Sequence, residues 1–341
     1  MVDPLQAVPR LEAVLARYEQ HGFTGQVLIA KGDEALLLRG FGRTRPGGGQ
    51  AVTPQSVMPL ASITKPFTAS AILALEADGL LRLVDPVVRH LPELPKAWST
   101  VTVEQLLTHT AGLPAEIDIR AWPGHPRFDP VERDKFIAGL AEFQPRHAPG
   151  TVFNYSNVGY SLLGALIERV SGRSWEDFLH TRLLAPNGIE DIGFLGPGWP
   201  TERHVHGRAR GQDRGSYFDQ PRLADGVGWR LRASGDLQAS AAGMLEWWRS
   251  IRRGSWLPAE AMSAWTTPRV PEADGSHYGY GLHLRATAVG QVIGHTGGDA
   301  AFTADWSWLT GHDLVIFVAS ADPDHPADAL RETLLRQLGL N

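Results

Sequence analysis

Apolar residues along this chain change their spacing twice. Near the start, Val8, Leu11, Val14, Leu15 and Tyr18 recur at helical intervals and predict an amphipathic helix that stops near Gly22. Two short apolar runs follow, Gln26–Ala30 and Ala35–Leu38. Lys31-Gly32-Asp33-Glu34 between them has turn chemistry, so the pair predicts a β-hairpin. The run Arg45-Pro46-Gly47-Gly48-Gly49 reads as a surface loop. From about Phe67 to Leu183 helical spacing dominates. Helices are predicted over Ala69–Leu81, over Val103–Leu107 with Thr102 placed to cap it, and over Val158–Val170 ending at Gly172. Trp122-Pro123-Gly124-His125-Pro126 reads as loop, and Pro197–Gly228 as irregular. Leu237–Ile251 predicts another helix. Past Gly275 the runs Tyr278–Leu284, Val289–Ile293, Ala301–Leu309 and Leu314–Ser320 predict strands joined by short turns, before a closing helix at Ala327–Leu338.

Strands at both ends and helices in the middle predict an α+β fold. Short connections imply antiparallel neighbours. The simplest arrangement is one antiparallel sheet built from both termini, flanked by the terminal helices. Residues 1–66 and 235–341 would form this sheet domain. Residues 67–234 would form an inserted, mainly helical domain, with the active site in the cleft between. No internal repeat is evident.

Composition narrows the chemistry. The 341 residues contain no cysteine, which excludes disulfides, thiolate metal sites and a cysteine nucleophile. A net charge of −5 argues against a nucleic-acid partner, and no apolar run approaches the roughly 20 residues of a membrane span. Met1-Val2-Asp3-Pro4 has neither a basic nor an apolar leader character, so a cytoplasmic location is expected. Only four of the 32 basic residues are lysines, Lys31, Lys65, Lys96 and Lys135, so a lysine inside a chemical motif stands out.

Three such motifs occur in order: Ser62-Ile63-Thr64-Lys65, Tyr155-Ser156-Asn157, and His295-Thr296-Gly297-Gly298. Composition gives about 0.2 chance occurrences of S-x-x-K, about 0.07 of Y-x-N and about 0.08 of H-T-G. Each is weak alone; the set is expected by chance on the order of once in a thousand such chains. In the first motif, residues three apart share a helix face, so a helix starting near Ser62 brings Lys65 beside it. Pro66 is tolerated only in a first turn and therefore fixes that start. N–H groups there point toward Ser62 Oγ and any anion formed at it. Serine needs a base, and Lys65 can serve if burial and the helix dipole favour its neutral form. The bland alternative is a serine helix cap beside a solvated lysine. The Tyr155 hydroxyl can relay a proton, and the Asn157 amide can both donate to a substrate carbonyl and accept from Lys65. Asn154 or Ser156 could instead simply cap the helix from Val158. The third motif precedes a β-like segment; its glycines allow close backbone approach, and strand N–H groups could complete an oxyanion hole. A tight turn with an exposed His295 is the alternative.

With these residues the sequence resembles the serine β-lactamase and penicillin-binding-protein superfamily, and more narrowly the class C β-lactamase-like branch of esterases, D-aminopeptidases and D,D-carboxypeptidases. Leu106-Leu107-Thr108-His109-Thr110-Ala111-Gly112-Leu113-Pro114 and Gly235-Asp236-Leu237-Gln238-Ala239-Ser240 are similar to further segments of that branch. The resemblance spans roughly Gly25 to Ala319. It implies the sheet-plus-helical fold and acyl transfer to water through a covalent acyl-enzyme. Ser62 would be the nucleophile, Lys65 its base or relay, and Tyr155 a general base or acid. Asn157, His295, Thr296 and Gly297 would bind substrate, and the N–H groups of Ser62 and Gly298 would form the oxyanion hole. No cofactor or metal is implied, and the partner would be a small ester, amide or lactam.

One departure matters. Class C β-lactamases carry Lys-Thr-Gly where this chain has His295-Thr296-Gly297, and that lysine helps to receive a β-lactam carboxylate. Histidine and the nearby Asp299 move the expectation from β-lactamase toward an esterase or a peptidase; a carboxylesterase on small esters is the first reading, a D-amino-acid peptidase or D,D-carboxypeptidase the next, and β-lactamase activity would be weak. Trp122, Trp199 and Trp229 are candidates to wall an apolar pocket. Rival readings are weaker. His204-Val205-His206 has metal-like spacing but is flanked by Arg203 and Arg208; no G-x-S-x-G elbow occurs; and a non-catalytic binder would not need the intact Ser62, Lys65, Tyr155 and Asn157.

Overall fold

A computed structural model describes residues 4–114, 130–140, 143–194, 198–219, 223–224, 227–288 and 290–340. Its centre is an eight-stranded antiparallel sheet. The strands are β1 (Gly25–Lys31), β2 (Glu34–Phe41), β3 (Val270–Pro271), β4 (His277–Tyr278), β5 (His283–Thr287), β6 (Gly290–Gly298), β7 (Thr303–Leu309) and β8 (Leu314–Ser320), in the spatial order β3-β4-β5-β6-β7-β8-β1-β2. The sheet thus joins the first hairpin to the last strands, β1 pairing β8 from Gly25↔Ser320 to Lys31↔Leu314.

The helices are α1 (Pro4–Gln20), α2 (Thr64–Ala77), α3 (Val87–His90), α4 (Val103–Leu107), α5 (Arg133–Leu140), α6 (Asn157–Ser171), α7 (Trp175–Leu179), α8 (Ala241–Arg252), α9 (Ala259–Trp265) and α10 (Ala327–Leu338). The central strands are apolar at nearly every position because both sheet faces are covered. Val27, Ile29, Leu314, Ile316 and Val318 pack with Leu11 and Leu15 of α1 and Leu330 and Leu334 of α10. The alternate residues Leu28, Ala30, Val315, Phe317 and Trp306 join the larger core with α2 and α8. Trp247 of α8 stacks on Phe67 of α2, ring centroids 4.2 Å apart, and on Trp306 of β7 at 4.6 Å. Among the described residues no helix is long and apolar enough to cross a membrane.

Most predicted elements are present, and the differences have local causes. Arg45–Gly49 is not an open loop: Arg43–Arg45 pairs with Gly48–Ala51, and Gly47 at φ 72° makes the turn. The helix predicted over 69–81 runs from Thr64 to Ala77 and ends before Gly79, which adopts φ 74°. Thr102 does cap α4, in a reciprocal capping box with Gln105. The helix predicted from Leu237 begins only at Ala241. Gln238–Ala239 instead pairs with Met58–Pro59 and Ile192–Gly193, and Ser240 caps α8 through Gly243 N–H. The single strand predicted over 278–284 is two short ones turned at Gly281, φ 72°. The strand predicted to end at Ile293 continues to Gly298, so the third motif lies within it rather than ahead of it. The 122–126 stretch lies outside the described residues.

Phe317 is fully buried between β1 and β7. Phe317→Ala is expected to cost about 3–5 kcal/mol through lost transfer energy plus a cavity. A lower urea midpoint at unchanged slope would show it.

Candidate active site

Ser62 lies on a single 3-10 turn, Ala61–Ile63, that runs directly into α2. Ala61 is held at φ 46°, a left-handed conformation that costs a non-glycine residue roughly 1–2 kcal/mol. Cross-links hold the turn in place. Leu60 N–H donates to the Leu237 carbonyl (2.9 Å), Leu237 N–H donates to Thr64 Oγ1 (3.0 Å), and Thr68 Oγ1 donates to the Ala233 carbonyl (2.6 Å). Ala233 is itself at φ 62°.

Lys65 follows one helical turn after Ser62 and is fully buried. Its Nζ donates to Ser62 Oγ (3.0 Å), Asn157 Oδ1 (2.7 Å) and the Ser234 carbonyl (2.8 Å). It also lies over the Tyr155 ring, 4.7 Å from the centroid. Three acceptors saturate an ammonium group. The Ser62 hydroxyl is the only one of the three that can also donate. In the neutral amine the lone pair can therefore be met by the Ser62 O–H, which is the contact a base needs.

Asn157 opens α6, whose cap is Ser156: its Oγ accepts from Gly159 N–H (3.1 Å) and donates to the Pro114 carbonyl (2.6 Å). With the cap supplied by its neighbour, Asn157 turns its amide oxygen to Lys65. Half-buried Tyr155 lies between, its ring 4.4 Å from that of His109 and 6.1 Å from that of His295.

Strand β6 closes the other side. Its pairing with β5 ends at His283↔Gly294, while its pairing with β7 continues through Gly298↔Thr303. The edge from His295 to Gly298 is thus unpaired by β5 and runs past the Ser62 turn. A Cβ at Gly297 would stand 2.1 Å from the Leu60 carbonyl oxygen and 2.9 Å from Ser62 N, so only glycine lets the strand come this close. Thr296 and Gly298 are exposed.

His295 is buried rather than exposed on a turn. Its Nδ1 lies 2.5 Å from the Thr296 carbonyl, which can only accept, so the proton sits on Nδ1 and Nε2 accepts from the Tyr278 hydroxyl at 3.1 Å. Burial first, and then the charges of His283 and Lys65, hold this imidazole well below its usual range. It is neutral at pH 7. Asp299, at the end of β6, is exposed, and its Oδ1 accepts from Ala301 and Phe302 N–H at 2.7 and 2.9 Å.

Ser62, Lys65, Tyr155, Asn157, His295, Thr296, Gly297 and Gly298 therefore converge on one place. Several neighbours were not singled out for a role by sequence reasoning. The Ser234 oxygen is backbone and leaves no residue signature. Tyr278 holds the His295 tautomer. Tyr217 reaches toward the Gly235 carbonyl (3.5 Å); burial, with the nearby Asp299 and Asp236 charges, raises its phenol and keeps it neutral. The tryptophans divide differently from expectation. Trp229 is core, packed with Phe136 and Arg232; Trp199 is half-buried against His204; Trp122 lies outside the described residues. His204 and His206 face different surroundings: His204 packs on Phe218, and His206 bonds Asp213.

Residues 10–340 match the family described as Beta-lactamase. The chain belongs to the β-lactamase family. Within that family it is a serine hydrolase. It is 28% identical over 327 residues to penicillin-binding protein 4* of Bacillus subtilis, covering 90% of this chain and 70% of that one. Among solved structures it is similar to the octameric penicillin-binding protein homologue of Pyrococcus abyssi. There the TM-score is 0.82 at 26% identity, over 98% of this chain and 78% of that one. It is also similar to SurE, solved with D-Leu, at TM-score 0.75 and 29% identity, over 98% and 75% of the two chains.

Two further outcomes follow from this family site. Gly297→Ala is expected to reduce hydrolytic kcat at least about 100-fold, because the strand must retreat from Ser62 by more than the geometry of acyl transfer tolerates; steady-state kinetics with a matched thermal melt would show it. Asp236 lies behind the site, accepting from Ala233 N–H (3.0 Å) and Trp175 Nε1 (3.2 Å). Burial, and then Glu176, push its carboxyl up to about 7. The folded state then holds a proton that the unfolded state releases near pH 4. The associated stability is present below about pH 4 and is lost as pH rises to about 7. Asp236→Asn should remove this component. The stability difference between wild type and variant, measured by urea denaturation, should therefore change by several kcal/mol between pH 4 and 7 and level off above.

Proposed function

We propose that this hydrolase is a carboxylesterase acting on small, uncharged esters. The observation that carries the reading is the buried, neutral His295 on the β6 edge, where the resemblance puts a cationic lysine that receives a carboxylate. A neutral wall with Asp299 beyond it favours a substrate without an anionic group near the scissile bond.

The proposed steps use the residues as they lie. Neutral Lys65 takes the Ser62 proton, directly or with Tyr155 as relay, while Ser62 Oγ adds to the ester carbonyl carbon. The N–H groups of Ser62 and Gly298 receive the oxyanion. Asn157 holds the carbonyl side, and His295, Thr296 and Gly297 form the strand wall. Collapse expels the alkoxide, which takes a proton from Lys65 or Tyr155 and leaves as alcohol. Water, deprotonated by Tyr155 or Lys65, then adds to the acyl-enzyme and releases acid and free Ser62. In this reading residues 67–234 are an inserted, mainly helical unit, residues 1–66 and 235–341 the sheet unit, and substrate enters between them.

A D-amino-acid peptidase or D,D-carboxypeptidase is the second reading, favoured by the penicillin-binding names of the relatives and by the D-Leu in the SurE structure. Wild type and Ser62→Ala are to be compared on p-nitrophenyl esters of increasing chain length, a D-alanyl peptide and a chromogenic cephalosporin. The expected result is ester turnover well above the other two, falling at least about 1,000-fold in Ser62→Ala. Peptide turnover exceeding ester turnover would favour the second reading. Efficient cephalosporin turnover would overturn the ranking.

A further inference from the structure

The segment Leu106–Pro114 resembles a family segment but has no part in the steps above. In the fold it forms a cradle for the Tyr155 loop. The His109 carbonyl accepts from Asn154 N–H (2.8 Å), and His109 Nδ1 accepts from Ser156 N–H (3.0 Å). The Leu113 and Pro114 carbonyls accept from Asn154 Nδ2 (2.5 Å) and Ser156 Oγ (2.6 Å). Two bonds from a single residue thus bracket Tyr155 on either side, and the His109 ring lies against the Tyr155 ring at 4.4 Å.

This residue is expensive to place. It is buried, at φ 58°, in the left-handed region that glycine enters freely and a residue with a side chain enters only at a cost. Because Nδ1 accepts, the proton must sit on Nε2, which is buried without a hydrogen-bond partner, with the rings of Tyr160 and Tyr278 at 4.9 and 4.7 Å. Leaving a buried donor unpaired is unfavourable, because its bond to water is lost and not replaced. A residue chosen for stability alone would avoid both costs. Burial first, and then the Lys65 and His283 charges, hold its imidazole well below the ordinary range, so the acceptor on Nδ1 persists across the neutral pH range.

We propose that His109 is a positioning residue for Tyr155: its carbonyl and Nδ1 fix the backbone on both sides of Tyr155, with its ring packed against the phenol. The phenol is thereby aimed at the proton path between Ser62 and the leaving group. This rests on the proposed proton-transfer role of Tyr155.

Two substitutions separate the ring from the acceptor. His109→Phe keeps an aromatic face and removes the Nδ1 acceptor. His109→Asn tolerates the left-handed backbone and places an amide oxygen where Nδ1 stands. The expected result for His109→Phe is a kcat loss of about 10- to 100-fold at little-changed KM. His109→Asn should recover most of that loss. In the Tyr155→Phe background neither substitution should lower kcat further, since an effect exerted through the phenol vanishes with it. Should His109→Phe fail to fold, His109→Gly, which suits the left-handed backbone and removes both ring and acceptor, takes its place in the two backgrounds. Unchanged kcat in folded His109→Phe would overturn the proposal. So would losses that multiply with Tyr155→Phe, or a folded His109→Asn as impaired as His109→Phe. A Tyr155→Phe enzyme of full activity would instead overturn the role of Tyr155 itself, which distinguishes the two failures.

Discussion

Burying the Lys65 amine is the constraint on which the rest of this structure depends. A lysine head group taken out of water must be met by acceptors on every side or it will not stay. One acceptor, Ser62, comes from its own turn, but the others stand 92 and 169 residues away along the chain, at Asn157 and Ser234. Three segments must therefore meet at one nitrogen. Much of the nearby backbone cost follows. Of the five non-glycine residues with left-handed backbone among those described, Ala61, Ala233 and His109 all border this meeting point. The strain at Ala61 and Ala233 is held by cross-links that also satisfy the α2 entrance, and that at His109 by bonds to the start of α6. The same close packing leaves no room for a Cβ at Gly297.

The electrostatics of the site differ on its two sides. On the α2 side a buried amine is saturated with acceptors and faced by tyrosine rings. On the strand side His295 has its proton pinned by the Thr296 carbonyl and its other nitrogen occupied by Tyr278, so it presents no charge to a ligand. A lysine at that position would add a formal positive charge close to Lys65, and each cation would raise the cost of the other. With a neutral histidine there, the strand side does not add that repulsion to the buried Lys65 amine.

What the sequence made legible divides by physical range. The continuous apolar runs of β1 and β8, the Thr102 cap and the stop at Gly172 are local, and each stands where its residues predict. Ser62 and Lys65 could be paired because their spacing alone puts them on one helix face. Gln238–Ala239 could not be recognised as a strand, because its apolar spacing suits a helix equally and its partners, Met58–Pro59, lie far off in sequence. The turn at Gly281 was hidden for a similar reason: the Lys65 carbonyl it packs against belongs to another part of the chain. The Ser234 carbonyl leaves no trace in residue identity. The partnership of His109 with Ser156 spans 47 residues and depends on which imidazole nitrogen is protonated, which no spacing rule encodes.

The order of the sheet has a consequence for how the chain is made. β1 is translated early, but one of its two edges belongs to β8, which ends at Ser320. At synthesis rates of roughly 5–20 residues per second, the hairpin waits on the order of 15–60 s for its permanent neighbour. During that time an apolar strand offers an open row of amides and carbonyls, the template on which chains join to one another. The hazard of misassembly is therefore concentrated in the nascent chain, and it ends only when the last strand arrives and shuts the sheet.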